Sequence, residues 1–209
     1  MRVVIFGSTG GTGRALVEQA LDLSHEVVAF ARIPAHILIH HERLTVLQGD
    51  VLDSAKVNAA VAGADAVLSA LGVGAGFANN PEVLSIGTRN ILASMNTHGV
   101  RRFICESSYG VAESYDRAAA AAKVVFRTLL KRVYAEKAMQ EQLLRRSNAD
   151  WVIVRPTVLT NGPKRGHYRV AEDLRLGMMD RISRADVAHF MLKQLTEDTW
   201  LRKCPALSY

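Results

Sequence analysis

A short apolar run near the start of this 209-residue chain leads directly into a glycine-rich segment. The run is Val3–Phe6 and the segment is GSTGGTGR, Gly7–Arg14. A helix-forming stretch from Thr12 to Leu23 follows. A strand, a tight glycine turn and a helix N-terminus, in this order, make up the fingerprint of a dinucleotide-binding loop. A plain turn between a strand and a helix needs only one or two glycines, so the three glycines here favour a phosphate-binding loop.

Each glycine of the loop has its own predicted role. Gly7 lets the chain turn sharply, Gly10 lets the backbone approach a pyrophosphate, and Gly13 lets the helix pack close to the sheet. The N–H groups and the partial positive charge of the helix N-terminus favour the phosphates. Thr9 and Thr12 add hydroxyl donors. We therefore predict cofactor contacts from the whole loop: Gly7, Thr9, Gly10, Gly11, Thr12 and Gly13.

Short apolar runs alternate with helix-forming stretches along the chain. Buried parallel strands have this continuous apolar character, and strands alternating with helices indicate βαβ units. The sequence predicts an α/β fold, a single doubly wound Rossmann domain over residues 1–209, with a mainly parallel sheet and helices on both faces. The predicted strands are Val3–Phe6, Val27–Ala31, Leu44–Gln48, Ala66–Ala70, Phe103–Glu106 and Trp151–Val154, and the predicted helices are Thr12–Leu23, Ser54–Ala62, Pro81–His98 and Val124–Arg146.

The stretch from Asp116 to Arg146 contains no helix-breaking residue. A single helix of about 30 residues would be about 45 Å long, which is too long for a domain of this size. We expect two helices with a bend near Arg127–Val133. Its apolar residues are expected in the core, with a lid or a dimer contact as the alternative; they are Val124, Val125, Phe126, Leu129, Leu130 and Val133.

Composition restricts the class of protein. No apolar run reaches the roughly 20 residues of a membrane span, and the glycine loop begins too early for a signal peptide. The net charge is +6, but the basic residues are scattered pairs without the aromatic stripe of a nucleic-acid site. Cys105 and Cys204 form neither a disulfide framework nor a metal-ligand pattern. We expect a cytoplasmic protein, monomer or dimer, without membrane, nucleic-acid or metal partners.

The second predicted strand leads to Arg32, about 20 residues after the last glycine of the loop, where the fingerprint places the residue that selects the cofactor. An acidic residue there binds the ribose 2′-hydroxyl of NAD, whereas an arginine pairs with the 2′-phosphate of NADP. No carboxylate follows until Glu42. The sequence therefore predicts NADP(H), with a solvent-exposed arginine as the alternative.

Further candidate contacts follow the third, fourth and fifth predicted strands. Asp50 can accept a hydrogen bond from the adenine amino group while Val51 packs on the ring, or Asp50 can simply cap a turn. Gly72 lets the cofactor cross the carboxyl edge of the sheet, where open α/β sheets bind ligands. Ser107 and Ser108 stand at the same edge, near the expected nicotinamide.

Several motifs together resemble the NADPH-dependent flavin reductase / biliverdin-IXβ reductase family, an atypical branch of the short-chain dehydrogenases/reductases. The motifs are FGSTGGTGR, GDVLD, GTRNILASMNTHGVRRFICESS, WVIVRP, GHYRV and RISRADVAHFML. The resemblance implies NADPH binding and hydride transfer to a flat conjugated acceptor such as FMN, FAD, a linear tetrapyrrole or a quinone. A flavin would then be a substrate and not a tightly bound cofactor. The cofactor contacts that it implies are Thr9, Gly10, Thr12, Arg32, Asp50, Val51, Leu71, Gly72, Ser107 and Ser108, with Pro156, Thr157, Val158 and Leu159 at the nicotinamide.

The chain departs from most short-chain enzymes at the groups that would move a proton. Tyr134 and Lys137 are separated by two residues, not by the three of the usual Tyr-x-x-x-Lys pair. We expect Ser108 and Lys137 to be catalytic, with an exposed Lys137 as the alternative. Ser108 and Tyr109 are the predicted substrate contacts, although Tyr109 could instead pack beneath the loop.

Two other functions are compatible with parts of the sequence. Because the Tyr-x-x-x-Lys pair is missing, a non-catalytic NADP(H)-sensing regulator is the main alternative to a reductase. A nucleotide-sugar epimerase is less compatible, since the part from Asn161 to Tyr209 is short for the substrate domain of that class.

Overall fold

The structure is a computed structural model that describes residues 1–73, 81–119, 123, 128, 130–177 and 179–209. Its strands are β1 Arg2–Phe6, β2 Glu26–Ala31, β3 Leu44–Gln48, β4 Ala66–Ser69, β5 Arg102–Glu106, β6 Asp150–Pro156, β7 Val158–Thr160, β8 Arg169–Ala171, β9 Arg181–Ser183 and β10 Ala206–Ser208. The helices are α1 Gly11–Asp22, α2 Ser54–Val61, α3 Val83–His98, α4 Ser114–Arg117, α5 Lys131–Arg146 and α6 Arg184–Lys193, with a short 3-10 turn at Pro34–His36.

Eight strands form one sheet in the order β3-β2-β1-β4-β5-β6-β10-β8. All neighbours from β3 to β10 pair in parallel, and β8 adds an antiparallel edge strand. The chain builds outward from β1 to β3 and then returns to β4 on the other side of β1. Such a reversal leaves a crevice at the carboxyl ends of the central strands, where α/β proteins bind ligands. The predicted doubly wound, mainly parallel sheet is confirmed.

The helices cover both faces because side chains alternate along each strand. Val3 and Ile5 of β1 point toward α1 and α6 and belong to one buried apolar cluster. Val4 and Phe6 point the other way, into a second cluster with α2, α3 and α5. All four side chains are fully buried, so β1 is the centre of the core.

The six predicted strands all form, each within two residues of its predicted bounds. Local interactions set the boundaries of two helices. The Asp53 carboxylate accepts hydrogen bonds from two backbone N–H groups at the start of α2, at 3.0 and 3.1 Å. Gly99 ends α3 with a left-handed φ of 69°. The first turn that was predicted for α3 is not helical, since α3 begins at Val83 and not at Pro81.

The predicted bend near Arg127–Val133 lies partly outside the described residues. Four of the apolar residues expected in the core lie wholly outside them: Val124, Val125, Phe126 and Leu129. The described part of the last predicted helix begins at Lys131, and Leu130 and Val133 are half-buried there. Within the described ranges, no helix is long and apolar enough to cross a bilayer.

Candidate functional site

A cavity of about 450 Å³ opens at the carboxyl ends of the central strands. It starts at the glycine loop, runs along the ends of β2 and β4, and reaches the end of β5. Eleven of the predicted cofactor contacts line it: Gly7, Thr9, Gly10, Gly11, Thr12, Arg32, Asp50, Val51, Leu71, Gly72 and Leu159. Lining residues that sequence reasoning missed as contacts include Phe30, Val83, Glu106 and Arg184.

The glycine loop is shaped by close backbone approaches. Gly7 has a φ of 80°, and a Cβ there would overlap the carbonyl group of Ala70 at the end of β4. A Cβ on Gly13 would overlap the Gly7 carbonyl group and lie 2.8 Å from the Cα of Ser8. The Ser8 hydroxyl donates to the Phe30 carbonyl oxygen at 2.8 Å and fastens the loop to β2. Gly7 and Gly13 therefore serve the tight turn and the close helix packing that were predicted.

The N-terminus of α1 opens into this cavity. Its N-cap residue is Gly10, no side chain of the described residues caps it, and its first turn contains no acidic residue. Uncapped N–H groups and the helix dipole form an anion-binding site. The loop therefore fits a pyrophosphate in both shape and charge.

The far end of the cavity carries the candidate residues for the adenosine half of a dinucleotide. Arg32 is exposed just after β2. The Asp50 carboxylate accepts a hydrogen bond from the backbone N–H of Leu52 at 3.0 Å, so it caps a turn and also lines the cavity. Val51 is 5% exposed, and α3 packs closely on it because Gly87 has no side chain.

At the end of β5 the two serines have different partners. The Ser107 hydroxyl donates to Oε1 of Glu141 at 2.6 Å, and neither Ser107 nor Ser108 is among the residues that line the cavity. The Ser108 hydroxyl lies 3.3 Å from the Tyr134 hydroxyl, which also donates to the Tyr109 carbonyl oxygen at 3.1 Å. Burial raises the pKa of Tyr134, and its hydrogen bond to Ser108 lowers it in part.

The Lys137 ammonium lies beside the same segment. Nζ donates to the Ser107 carbonyl oxygen at 3.1 Å and to the Glu106 carbonyl oxygen at 3.5 Å. Burial lowers the pKa of Lys137, while the nearby Glu106 carboxylate works in the opposite direction. The helix α5 thus brings Tyr134 and Lys137 to the end of β5, the predicted catalytic edge.

A network of buried ion pairs contacts the segment that follows β5. Arg155 of β6 is 1% exposed and donates to both carboxylate oxygens of Glu141, at 3.0 and 2.6 Å. Glu113 lies 3.1 Å from Arg155 and 2.6 Å from Arg145. Burial disfavours the ionised Glu113 carboxyl, but hydrogen bonds from Arg155 and Arg145 outweigh it and lower its pKa to about 2. The network connects β6, α5 and the segment after β5, and an arginine inside an apolar strand was its only sequence signal.

The remaining predicted contacts lie around the end of β6. Tyr109 is 6% exposed, and its hydroxyl donates to the Leu174 carbonyl oxygen at 3.1 Å, so its ring packs against the segment Leu174–Leu176. Pro156 accepts a backbone hydrogen bond from Tyr109. Thr157 donates to the Leu207 carbonyl oxygen at 3.2 Å, and Val158 is 59% exposed outside the cavity.

From the segment after Pro156, Leu159 lines the cavity. Over the part of the chain that the structure describes, no group of three His, Cys, Asp or Glu side chains could hold a metal ion.

Known proteins share this architecture. The chain is 35% identical over 120 residues to the 3 beta-hydroxysteroid dehydrogenase/Delta 5→4-isomerase of Mycobacterium tuberculosis. The matched region covers 53% of this chain but only 32% of that protein. The structure of ChuY, an anaerobilin reductase from Escherichia coli, has a TM-score of 0.83 at 24% identity, covering 99% of this chain and 96% of that one. A wide-type short-chain dehydrogenase/reductase from Veillonella parvula, in complex with NADP, has a TM-score of 0.81 at 23% identity, covering 100% and 94%.

These solved structures confirm the Rossmann fold. The family is shown by a family model described as NAD(P)H-binding, which matches residues 7–198. This range contains every residue that lines the cavity, from Gly7 to Arg184. The chain therefore belongs to the NAD(P)H-binding family.

Proposed function

We propose that this protein is an NADPH-dependent oxidoreductase that transfers hydride to a flat conjugated acceptor, namely a flavin, a bilin or a quinone. The observation that carries the proposal is the continuous cavity from Arg32, past the glycine loop, to Glu106 and Leu159. A dinucleotide needs such a path, with its phosphates at the helix N-terminus and its nicotinamide at the end of the fifth strand.

The preference for NADPH over NADH rests on Arg32. It is the residue after β2, its exposed side chain borders the cavity, and a guanidinium pairs well with a phosphate. The NADP complex of the Veillonella parvula protein, a related fold, is consistent with this choice.

The bound cofactor supplies the hydride, and the protein binds and orients the reacting partners. We assign the loop Gly10–Thr12 to the pyrophosphate and the Ser108 hydroxyl to the carboxamide or the acceptor. Tyr134 holds that hydroxyl in place through the 3.3 Å contact. Lys137 fixes the backbone of the segment through two carbonyl oxygens and is the predicted neighbour of the cofactor ribose.

The acceptor class rests on the surface beyond the cavity. Val158 is 59% exposed and Met179 is 78% exposed, and the backbone N–H of Val158 donates to the carbonyl oxygen of Asp180, next to Met179. We propose that these two exposed side chains, in β7 and just before β9, form part of the surface that receives a flat ring. ChuY, which has a similar fold, is an anaerobilin reductase, and this supports a bilin as one such acceptor.

The test is NADPH oxidation, followed by absorbance, with FMN, FAD, biliverdin and a quinone in parallel. We expect turnover with at least one of these acceptors and a loss of about tenfold in kcat for Ser108→Ala, equivalent to about one hydrogen bond in the transition state. NADPH binding without turnover on any acceptor would contradict the reductase proposal and favour the NADP(H)-sensing regulator.

A further inference from the structure

Glu106 is a carboxylate in the wall of an anion-binding cavity, which is an electrostatic conflict. The residue ends β5, is 7% exposed and lines the same cavity as the glycine loop. Its Oε1 accepts a hydrogen bond from the Thr12 hydroxyl at 3.0 Å. Thr12 belongs to the first turn of α1, whose N-terminus is the predicted phosphate site. A bound pyrophosphate would therefore place negative charge close to a buried carboxylate.

Two cations offset the Glu106 charge in the free protein. Lys137 reaches it from α5, where Nζ donates to the carbonyl oxygens of Glu106 and Ser107. Arg184 reaches it from the start of α6, across the same cavity. Burial raises the pKa of Glu106, and Lys137, Thr12 and Arg184 lower it in part.

The other titratable groups near this cluster do not relieve the conflict. Glu141 contacts Ser107 and Arg155, and its negative charge acts on Lys137. Burial raises the pKa of the neighbouring Cys105 thiol to about 12, so it stays neutral at ordinary pH. Arg184 is the cation with which a bound phosphate would interact, because its side chain lies against Gly11 in the glycine loop.

We propose that Glu106 takes up one proton from solvent when an anionic dinucleotide enters the cavity, so that the complex forms with its carboxyl group neutral. The proposal rests on the proposed function only in that the ligand is a nicotinamide dinucleotide. No covalent bond changes other than the O–H bond that forms on Glu106.

The direction of the pH dependence follows from linkage. Negative charge near Glu106 favours its protonated form, so its proton affinity is higher in the complex than in the free protein. Between the pKa of Glu106 in the free protein and its higher pKa in the complex, each binding event takes up a proton. In this range the affinity for the dinucleotide rises as the pH falls, by at most about tenfold per pH unit. This pH range lies above the ordinary pKa range of a glutamate, because burial raises the pKa of Glu106 already in the free protein.

The experiment is titration calorimetry of NADH and of NADPH in two buffers with different ionisation enthalpies, repeated at several pH values from the ordinary range of a glutamate up to about 8. NADH is needed because the 2′-phosphate of NADPH itself titrates. For the wild type we expect proton uptake with both ligands. Glu106→Gln keeps the size of the side chain and an acceptor for Thr12, and it should abolish the uptake. Glu113→Gln, outside the cavity, should retain it.

Wild-type binding without proton uptake, or uptake that persists unchanged in Glu106→Gln, would overturn the inference. The pH dependence of the wild-type Kd gives an independent measurement if Glu106→Gln fails to fold, and a Kd that does not change with pH would overturn it too. Binding with proton uptake but without reductase turnover would remove the proposed activity and leave this inference standing. Failure of both dinucleotides to bind would overturn both proposals.

Discussion

The side chain of Arg184 lies directly against Gly11, at the first turn of α1. A Cβ on Gly11 would lie 2.8 Å from Nε of Arg184 and would overlap its Cδ. Arg184 also donates to Oδ1 of Asn161 at 2.6 Å, which fixes the direction of the guanidinium. The C-terminal part of the chain thus places a cation beside the uncapped helix N-terminus that the glycine loop provides.

Arg184→Ala should weaken NADPH and NADH binding by the same factor, about tenfold, because the pyrophosphate is common to both ligands. This corresponds to the loss of one charge-assisted hydrogen bond of about 1.5 kcal/mol. Fluorescence titration of both ligands measures it. Arg181→Ala is the matched control, since this exposed arginine on β9 does not line the cavity. A loss confined to NADPH would instead assign Arg184 to the 2′-phosphate.

Arg32→Ala should separate the two ligands. We expect NADPH affinity to fall about 10- to 100-fold, as for a lost hydrogen bond between charged groups, and NADH affinity to change by about twofold or less. Arg43→Ala is the control, because Arg43 precedes β3, at the amino ends of the parallel strands and outside the cavity, and donates to the Ser24 carbonyl oxygen. Equal losses of NADPH and NADH affinity in Arg32→Ala would remove the argument for NADPH selection.

The sequence predicted the sheet well and the site in part, for different physical reasons. The first six strands are apolar runs, and all of them except the partly exposed edge strand β3 are buried on both faces, so their pattern is local and visible. The three-residue strands β7 to β10 are too short to show a period, and none was predicted. Their positions depend on tertiary pairing with β6 and with each other.

The residues of the site divide in the same way, into those that a local pattern predicts and those that only the tertiary fold brings together. The glycine loop and Arg32 were readable because spacing along one βαβ unit determines them. Arg184 comes from a distant segment that the fold brings to the cavity, so spacing could not identify it as a contact, and Leu159 was expected there only through the resemblance to a known family. Glu106 and Arg155 did leave a signal, namely a charged residue within or at the end of an apolar strand, but only the structure supplies their partners.

Gly7→Ala and Gly99→Ala separate two costs of replacing a glycine. Both residues have positive φ, 80° and 69°, so both variants lose about 1 kcal/mol of stability or more through the backbone conformation. At Gly99 no atom lies within 4 Å of the new Cβ, whereas at Gly7 the Cβ would overlap the Ala70 carbonyl group. We expect Gly7→Ala to cost about 3 kcal/mol or more. Denaturant unfolding measures both, and equal losses would show that the β1–β4 crevice can open to accommodate a methyl group.

Arg155→Met should destabilise the protein by about 3–5 kcal/mol, because it leaves the buried Glu141 carboxylate without its bidentate partner. The double variant Arg155→Met/Glu141→Leu should recover part of this loss, since neither charge then stays buried. Arg101→Ala removes an exposed pair with Asp150 and should leave the free energy of unfolding nearly unchanged. Unfolding free energies test all three, and a double variant that shows the sum of two large losses would contradict an ion-pair origin.

Glu113 should make the stability of the protein fall in acid. Its pKa is about 2 in the folded protein, below the value of about 4.3 for an unfolded glutamate. A lowered pKa contributes stability above the unfolded value, and this contribution disappears as the pH falls toward about 2. Solvent reduces its size because the Glu113 side chain is 46% exposed. Glu113→Gln should therefore lower stability near neutral pH and show a shallower decline between about pH 5 and pH 2. Denaturant unfolding across this range measures the difference, and two parallel curves would show that the Arg145 and Arg155 contacts do not stabilise the ionised carboxylate.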